Sequence, residues 1–246
     1  MRLDGTTAII TGAGSGFGAG IARRFAAEGA RVMVADINAG AAVAIAAAIG
    51  GIAQKVDVSR DDSVGAMAKA ARDAFGRLDI LVNNAGITHL PQPLEDLPEA
   101  EFDHILAVNA KSVFLTARHL LPPMKAAGAG VILNVASTAR LSPRPRLSWY
   151  NACKGWMITA TKSMAVELAP SGIRVNAICP VAGETPLLKS FMGEDTPGMR
   201  AKFLATIPIG RFSTPEDMGN AACFLCSDEA SMITGVALEV DGGRCI

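Results

Sequence analysis

The segment WYNACKGW at residues 149–156 contains Tyr150, the only tyrosine in a chain of 246 residues. Lys154 follows four residues later, so both side chains share one face of any helix that forms here. A phenol has a pKa near 10 and is a poor base at neutral pH. An ammonium group within about 4 Å, at an effective dielectric constant near 20, contributes about 4 kcal/mol and lowers that pKa by up to about three units. The pair therefore predicts a tyrosine that transfers a proton, which phenylalanine cannot do.

Two other polar residues are candidates for the same chemistry. Ser137 directly follows the apolar run VILNVA, at the end of a strand where open α/β proteins bind ligands. Its hydroxyl can donate a hydrogen bond to a substrate oxygen and stabilise charge that develops there. Asn109 interrupts the apolar helical stretch LAVNAKSVF. On the residues alone, Asn109 is as readily a buried amide with protein partners as a functional group.

A glycine-rich turn lies between the first apolar run and an amphipathic helical stretch. The sequence TGAGSGFG has the pattern T-G-x-x-x-G-x-G, formed by Thr11, Gly12, Gly16 and Gly18. Glycine lets the backbone approach a diphosphate, and the following helix N-terminus offers unpaired N–H groups. The turn predicts a dinucleotide site, with a purely structural turn as the alternative.

Asp36 ends the second predicted strand, 18 residues after Gly18. An acid near this distance accepts hydrogen bonds from the adenosine ribose in βαβ dinucleotide sites. It also repels a 2′-phosphate, and no Arg or Lys occupies 12–19 or 37–38 to receive one. This pattern favours NAD over NADP, whereas the alternative is that Asp36 only ends a strand.

Short apolar runs alternate with helical stretches along the whole chain. The strand candidates are 7–10, 31–35, 53–58, 79–83, 131–136, 173–178 and 236–240. Several are continuous apolar runs, which is typical of parallel strands covered on both faces. The pattern predicts a Rossmann-like α/β fold, a doubly wound seven-stranded parallel sheet flanked by helices. We expect one domain over 1–246, with a long irregular substrate flap near 180–210.

These motifs together resemble one known family. TGAGSGFG, Asp57-Val58, NNAG at 83–86, Asn109, Ser137 and Tyr150-x-x-x-Lys154 have the order and spacing of the short-chain dehydrogenases/reductases, and the similarity extends to the closing LEVDGG. The resemblance implies hydride transfer between NAD and a secondary alcohol or ketone. The implied catalytic residues are Ser137, Tyr150, Lys154 and Asn109, with Asn109 holding a water that links Lys154 to solvent.

The resemblance also implies which residues hold the cofactor. It assigns Asn83 and Ala85 to the adenosine side, Asp57 to adenine and Thr185 to the nicotinamide carboxamide. The family usually has glycine after the proline of the sixth strand, and Val181 stands in its place here. The predicted cofactor-binding residues are Gly12, Ser15, Gly16, Phe17, Gly18, Asp36, Ile37, Asp57, Val58, Asn84, Ala85, Gly86, Tyr150, Lys154, Pro180, Gly183 and Thr185.

The substrate is only partly constrained by the sequence. We expect the walls of its pocket from 87–98, 138–149 and the flap, whose Leu187, Leu188, Phe191 and Met192 favour an apolar or bulky substrate. The loop arginines Arg140, Arg144 and Arg146 either attract an anionic substrate or are solvated charges. The alternatives to an NAD-dependent alcohol dehydrogenase are a 3-oxoacyl-thioester reductase, a dihydrodiol dehydrogenase and a non-catalytic NAD-binding regulator.

Composition excludes several other classes of protein. The 23 basic and 23 acidic residues cancel, which gives no electrostatic footprint for nucleic acid or an anionic membrane. Five scattered cysteines indicate reduced thiols, and we expect a cytoplasmic protein. The three histidines have no metal-binding spacing, so we predict no metal site. The helical stretch 151–169 is apolar around most of its circumference, and the family resemblance implies a homotetramer built on it.

Overall fold

The computed structural model describes residues 1–246 and is built on one seven-stranded parallel sheet. The strands are β1 (Thr7–Thr11), β2 (Arg31–Asp36), β3 (Ile52–Lys55), β4 (Ile80–Asn83), β5 (Gly130–Val135), β6 (Ile173–Pro180) and β7 (Ala237–Val240). Their order across the sheet is β3-β2-β1-β4-β5-β6-β7, and every neighbouring pair is parallel. The predicted doubly wound parallel sheet is confirmed.

Nine helices connect or cover the strands. They are α1 (Gly16–Ala27), α2 (Ala39–Ile49), α3 (Asp61–Phe75), α4 (Glu99–Leu106), α5 (Ser112–Ala127), α6 (Ser148–Leu168), α7 (Leu188–Met192), α8 (Pro197–Leu204) and α9 (Pro215–Cys226). Local sequence explains several of their ends. Thr214 forms a capping box with Asp217 at the start of α9, and Gly50 ends α2 in the left-handed conformation.

Alternate strand residues enter two separate cores. On one face, Ile10 and Val34 pack with Phe25 of α1 and with α9. On the other face, the neighbouring residues Ile9 and Met33 pack with α3, α5 and α6. Successive side chains of a strand point to opposite faces, so a strand that is covered on both faces needs apolar residues at every position.

The site is positioned by the strand order. The chain moves outward from β1 to β3 and then returns to place β4 on the other side of β1. Loops from β1 and β4 therefore diverge at the carboxyl ends of these strands, which leaves a crevice where α/β proteins bind ligands.

Two expectations need correction. The third strand ends at Lys55, so Val56, Asp57 and Val58 belong to the loop that follows it. The flap is not a long irregular segment, because it contains α7 and α8 and has its own apolar cluster. The chain contains no helix with the combination of length and apolar character needed to cross a membrane.

Candidate active site

A cavity of about 450 Å³ lies at the carboxyl ends of the strands. Most of the predicted site residues line it, and three do not: Gly18, Asn83 and Asn109. The predicted residues in its walls are Gly12, Ser15, Gly16, Phe17, Asp36, Ile37, Asp57, Val58, Asn84, Ala85, Gly86, Ser137, Tyr150, Lys154, Pro180, Gly183 and Thr185. The fold therefore gathers at one cavity residues that are up to 173 positions apart (185 minus 12).

The glycine turn forms the floor at one end of the cavity. Gly12 and Gly16 have φ angles of 63° and 53°, which side-chain-bearing residues rarely adopt. A Cβ on Gly18 would collide with the carbonyl oxygen of Gly12 and the side chain of Asn84. The N-cap residue of α1, Ser15, makes no side-chain capping bond, so the first N–H groups of the helix keep their capacity for an anion. This cradle fits a dinucleotide diphosphate.

Asp36 is tied to the same turn. Its carboxylate accepts hydrogen bonds from the backbone N–H of Gly14 at 2.8 Å and from that of Asn38 at 2.9 Å. A carboxylate has about four acceptor positions, so these two bonds leave capacity for ribose hydroxyls. Asp36 thus holds the turn in shape and also borders the cavity.

The two asparagines at the end of β4, Asn83 and Asn84, have different surroundings, and only Asn84 borders the cavity. Asn84 donates to the carbonyl oxygens of Thr11 and Gly12 at 2.9 and 3.0 Å, which joins the β1 and β4 loops. Asn83 is buried and donates to Asn134 instead. The expectation that Asn83 faces the adenosine is wrong for the side chain, because Asn83 precedes the turn and lies inside the sheet.

Asn83 belongs to a chain of buried polar side chains that the sequence analysis missed. Thr116 of α5 donates to Asn83, Asn83 donates to Asn134 of β5, and Asn134 donates to Thr161 of α6, each over 2.9 Å. Buried polar groups of this kind need partners and restrict how the elements pack. The chain therefore fixes α6, which carries Tyr150 and Lys154, against the centre of the sheet. The sequence did contain a signal for this chain, because Asn83 and Asn134 are polar residues within otherwise apolar strands.

The predicted trio converges at the middle of the cavity. Tyr150 and Lys154 lie in the first two turns of α6, and Ser137 directly follows Ala136 at the end of β5. Ser137 is close enough to Tyr150 to lower the pKa of the phenol, and both residues line the cavity. The Lys154 ammonium donates to the carbonyl oxygen of Val135 at 2.9 Å and lies 5.8 Å from the centroid of the Tyr150 ring.

The expected lowering of the tyrosine pKa does not occur in this structure. Burial raises the pKa of Tyr150 above its usual value, and the nearby Ser137 side chain opposes this only in part. Phe191 of α7 contributes to the burial, with its ring centroid 5.1 Å from that of Tyr150. Burial likewise lowers the pKa of Lys154 to about 8. Desolvation disfavours the charged form of each group and is the largest cause of both shifts.

Asn109 lies beneath this trio. Its side chain accepts from the N–H of Ile87 at 2.9 Å and donates to the Ile87 carbonyl at 2.8 Å. A Cβ on Gly86 would lie 3.1 Å from the Asn109 amide oxygen and 3.5 Å from the Lys154 nitrogen, so the two side chains lie on the same side of that loop. The Asn109 amide thus forms its hydrogen bonds with the protein backbone, which agrees with the interpretation of Asn109 as a buried amide with protein partners. Asn109 sits in a π-helical turn, Ala107–Lys111, between α4 and α5, and such turns are frequent at functional sites.

The base of the flap packs directly on the glycine turn. A Cβ on Gly183 would collide with the Phe17 ring, and a Cβ on Gly16 would lie 3.2 Å from the Cβ of Thr185. Val181, in the place of the usual glycine, joins the flap's apolar cluster and does not adopt a positive φ. The substitution is therefore accommodated without left-handed backbone.

The apolar side chains of the flap divide between two roles. Leu187 and Phe191 line the cavity, whereas Leu188 and Met192 are buried in the flap's own cluster. Only the first pair can meet a substrate directly. Fewer residues line the cavity than predicted, since Ile87 is the one residue of 87–98 in its walls.

The three loop arginines have three different environments. Arg140 pairs with Glu239 at 3.0 Å, and Arg146 is exposed. Arg144 alone lines the cavity, where its guanidinium stacks on the Phe203 ring at 3.8 Å. Asn151, the residue after Tyr150, donates to the Arg144 carbonyl at 2.9 Å, and its own buried amide oxygen has no partner.

A doubly wound parallel sheet, a dinucleotide cradle and a Ser–Tyr–Lys cluster in one cavity define a class of nucleotide-dependent oxidoreductases. The family model described as enoyl-(acyl carrier protein) reductase matches residues 12–244. The 4-formylbenzenesulfonate dehydrogenase of Comamonas testosteroni is 48% identical over 100% of both chains. The chain belongs to the short-chain dehydrogenase/reductase family and is an oxidoreductase, as its named dehydrogenase and reductase relatives are.

Two solved structures of similar fold and sequence are also oxidoreductases by name. A chain described as 3-ketoacyl-(acyl-carrier-protein) reductase from Brucella melitensis, complexed with NADH, is 52% identical over 99% of this chain and 100% of that one, with a TM-score of 0.95. A 7α-hydroxysteroid dehydrogenase complexed with NADH and 7-oxo glycochenodeoxycholic acid is 40% identical over 98% and 95% of the two chains, with a TM-score of 0.92.

Proposed function

We propose that residues 1–246 form one catalytic domain that transfers a hydride between NAD(H) and the carbinol or carbonyl carbon of a secondary alcohol or ketone. The single observation that carries this proposal is that Ser137, Tyr150 and Lys154 line the same cavity as the glycine cradle. Bound NAD supplies the hydride acceptor in oxidation, and NADH the donor in reduction. The residues of the chain orient the reacting oxygen and move its proton.

Tyr150 is the general acid and base of this proposal. In oxidation its phenolate oxygen takes the hydroxyl proton of the substrate, and in reduction its hydroxyl gives that proton back. Ser137 donates to the same substrate oxygen and stabilises its negative charge. Lys154 stabilises the phenolate and binds the ribose of the cofactor. Asn109 keeps the loop after β4 in place and, as the family resemblance implies, holds the water that relays the proton.

NAD is proposed over NADP because Asp36 faces the cavity and no basic side chain accompanies it in the turn. Support comes from the two related structures that contain NADH. We expect NADH to bind at least about tenfold more tightly than NADPH, since a 2′-phosphate beside a carboxylate is repelled. Parallel fluorescence titrations with the two cofactors measure this difference, and equal affinities would contradict the role of Asp36.

Turnover is tested in the same preparation by NADH absorbance over a panel of cyclic and aromatic secondary alcohols, sugars, dihydrodiols and 3-hydroxyacyl thioesters. We expect turnover of those alcohols in the panel that contain no thioester group. Tight NADH binding without turnover of any member would support the alternative of a non-catalytic regulator.

A 3-oxoacyl-thioester reductase is the second candidate. It is favoured by the 52% identical chain of that description and by the description of the matching family model. Turnover confined to 3-oxoacyl thioesters would select it over the alcohol dehydrogenase.

A homotetramer is also proposed, because α5 and α6 leave large apolar side chains in solvent. Phe114, Trp156 and Val166 are 56%, 45% and 80% exposed in the single chain. Exposed apolar residues grouped on adjacent helices are typical of a subunit interface. We expect sedimentation as a tetramer at micromolar concentration, and a monomer there would contradict the proposal. Five free cysteines, four of them buried, support the further proposal of a cytoplasmic location.

A further inference from the structure

We propose that Arg144 binds a carboxylate or sulfonate group at the far end of the substrate, so that the enzyme selects anionic alcohols and carbonyl compounds. This inference rests on the proposed function of the cavity and names its substrate class. It starts from an unpaired donor: the Nη2 atom of Arg144 is buried and has no hydrogen-bond partner. A guanidinium has five donors, and a buried one without a partner is costly, so such groups are normally paired.

The surroundings of Arg144 provide positive charge and no neutralising acid. Arg144 is close enough to Arg244 for the two charges to interact, and Arg244 also reaches the Ser142 carbonyl at 3.5 Å. The nearby acidic residues have other partners, since Glu239 pairs with Arg140 and Asp241 accepts from the N–H groups of Gly243 and Cys245. Burial, together with Arg244, lowers the pKa of Arg144 to about 10. Arg144 thus remains charged at neutral pH, and an anion would offset the cost of burying that charge.

Charge is also distributed unevenly along the cavity. The two carboxylates in its wall, Asp36 and Asp57, follow β2 and β3 at the end that fits the adenosine. The wall formed after β5 contains the cations Arg144 and Lys154 and no carboxylate. A substrate that enters beside Tyr150 therefore meets a cationic wall.

Arg144 is held at a fixed position relative to the reacting centre. The Asn151 side chain bonds the Arg144 carbonyl to the first turn of α6, next to Tyr150. The central guanidinium carbon lies over the Phe203 ring of α8, 3.8 Å from the ring centroid, so this contact also holds the side chain. A fixed guanidinium can bind a carboxylate or sulfonate through two parallel hydrogen bonds.

The test measures binding to enzyme saturated with NADH, in which an alcohol cannot be oxidised. The anionic probes are 4-(1-hydroxyethyl)benzoate and 4-(1-hydroxyethyl)benzenesulfonate, and the neutral probes are the corresponding amide and sulfonamide. By calorimetry we expect each anion to bind the wild-type enzyme at least about tenfold more tightly than its neutral counterpart, because a charge-assisted bidentate pair forms only with the anion. Comparison of the benzoate with the benzenesulfonate shows whether the site prefers a carboxylate or a sulfonate.

Arg144→Gln and Arg144→Met should weaken binding of the anions by at least about tenfold and change binding of the neutral probes by less than about twofold. Methionine retains an apolar contact with Phe203. The matched control is Arg146→Gln, which removes an exposed charge from the same loop and should leave the preference intact. Unchanged NADH affinity and thermal unfolding verify that each variant is folded.

Equal binding of charged and neutral probes to the wild-type enzyme overturns the inference, even where a variant fails to fold. A preference that survives in Arg144→Gln overturns it as well. Because NAD-dependent turnover is measured separately, lost turnover with a retained anion preference refutes the proposed function and leaves the anion site standing. Turnover without an anion preference refutes only the role of Arg144.

Discussion

Replacement of Tyr150 by Phe is expected to lower kcat by about 10³-fold, within the range of about 10² to 10⁴ that general acid–base catalysis contributes. The change removes one oxygen and the only phenol of the chain. The aromatic ring and its edge contact with Phe191 remain, so the cavity keeps its shape. Steady-state kinetics with NAD and the best alcohol of the panel measure the loss, and fluorescence titration should give an NADH affinity within about twofold of wild type.

Trp149→Phe is the matched control for this variant. Trp149 precedes Tyr150, packs on Phe102 with a centroid separation of 5.4 Å and donates to the Leu94 carbonyl, but does not line the cavity. Its replacement should leave kcat within a few-fold of wild type. If Tyr150→Phe retained comparable turnover, the proton would be transferred by another group and the proposed mechanism would be wrong.

Gly18→Ala is expected to weaken NADH binding at least about 100-fold and to lower the free energy of unfolding by about 2 kcal/mol, as overpacking of a tight site does. The added methyl group would overlap the Gly12 carbonyl and the Asn84 side chain. Either the turn or the β4 loop must move, and both border the cavity. Fluorescence titration measures the affinity, and urea denaturation measures the stability.

Gly198→Ala is the control for this glycine. A Cβ on Gly198 would meet nothing within 4 Å, and the residue lies in α8, so alanine should be tolerated or slightly stabilising. Wild-type NADH affinity in Gly18→Ala would show that the turn does not approach the cofactor as closely as we propose.

Most of the architecture was predictable because it depends on local sequence. Short, mainly apolar runs predicted all seven strands within a few residues, and their alternation with helical stretches predicted the parallel arrangement. The flap was mispredicted, because its short helices depend on packing of Leu188, Met192 and Phe203 among themselves rather than on a long periodic pattern.

The sequence predicted most of the residues that line the cavity, but it did not predict the pKa shifts of Tyr150 and Lys154. Spacing brought Tyr150 and Lys154 together on α6, but spacing cannot give the desolvation of either group. Burial depends on Phe191 from a distant part of the chain, and it raises the pKa of Tyr150. A lowered tyrosine pKa therefore requires a change in the cavity beyond the presence of Lys154 four residues away.

Residue types and spacing alone determined the α/β class, the glycine turn, the acid at the end of the second strand and the placement of Tyr150 and Lys154 on one helix, since each depends on residues that are neighbours along the chain. Tertiary structure alone decided which of two adjacent asparagines and which of three loop arginines borders the cavity. Those outcomes depend on residues far away in the chain, such as Asn134, Glu239 and Phe203, which folding brings into contact.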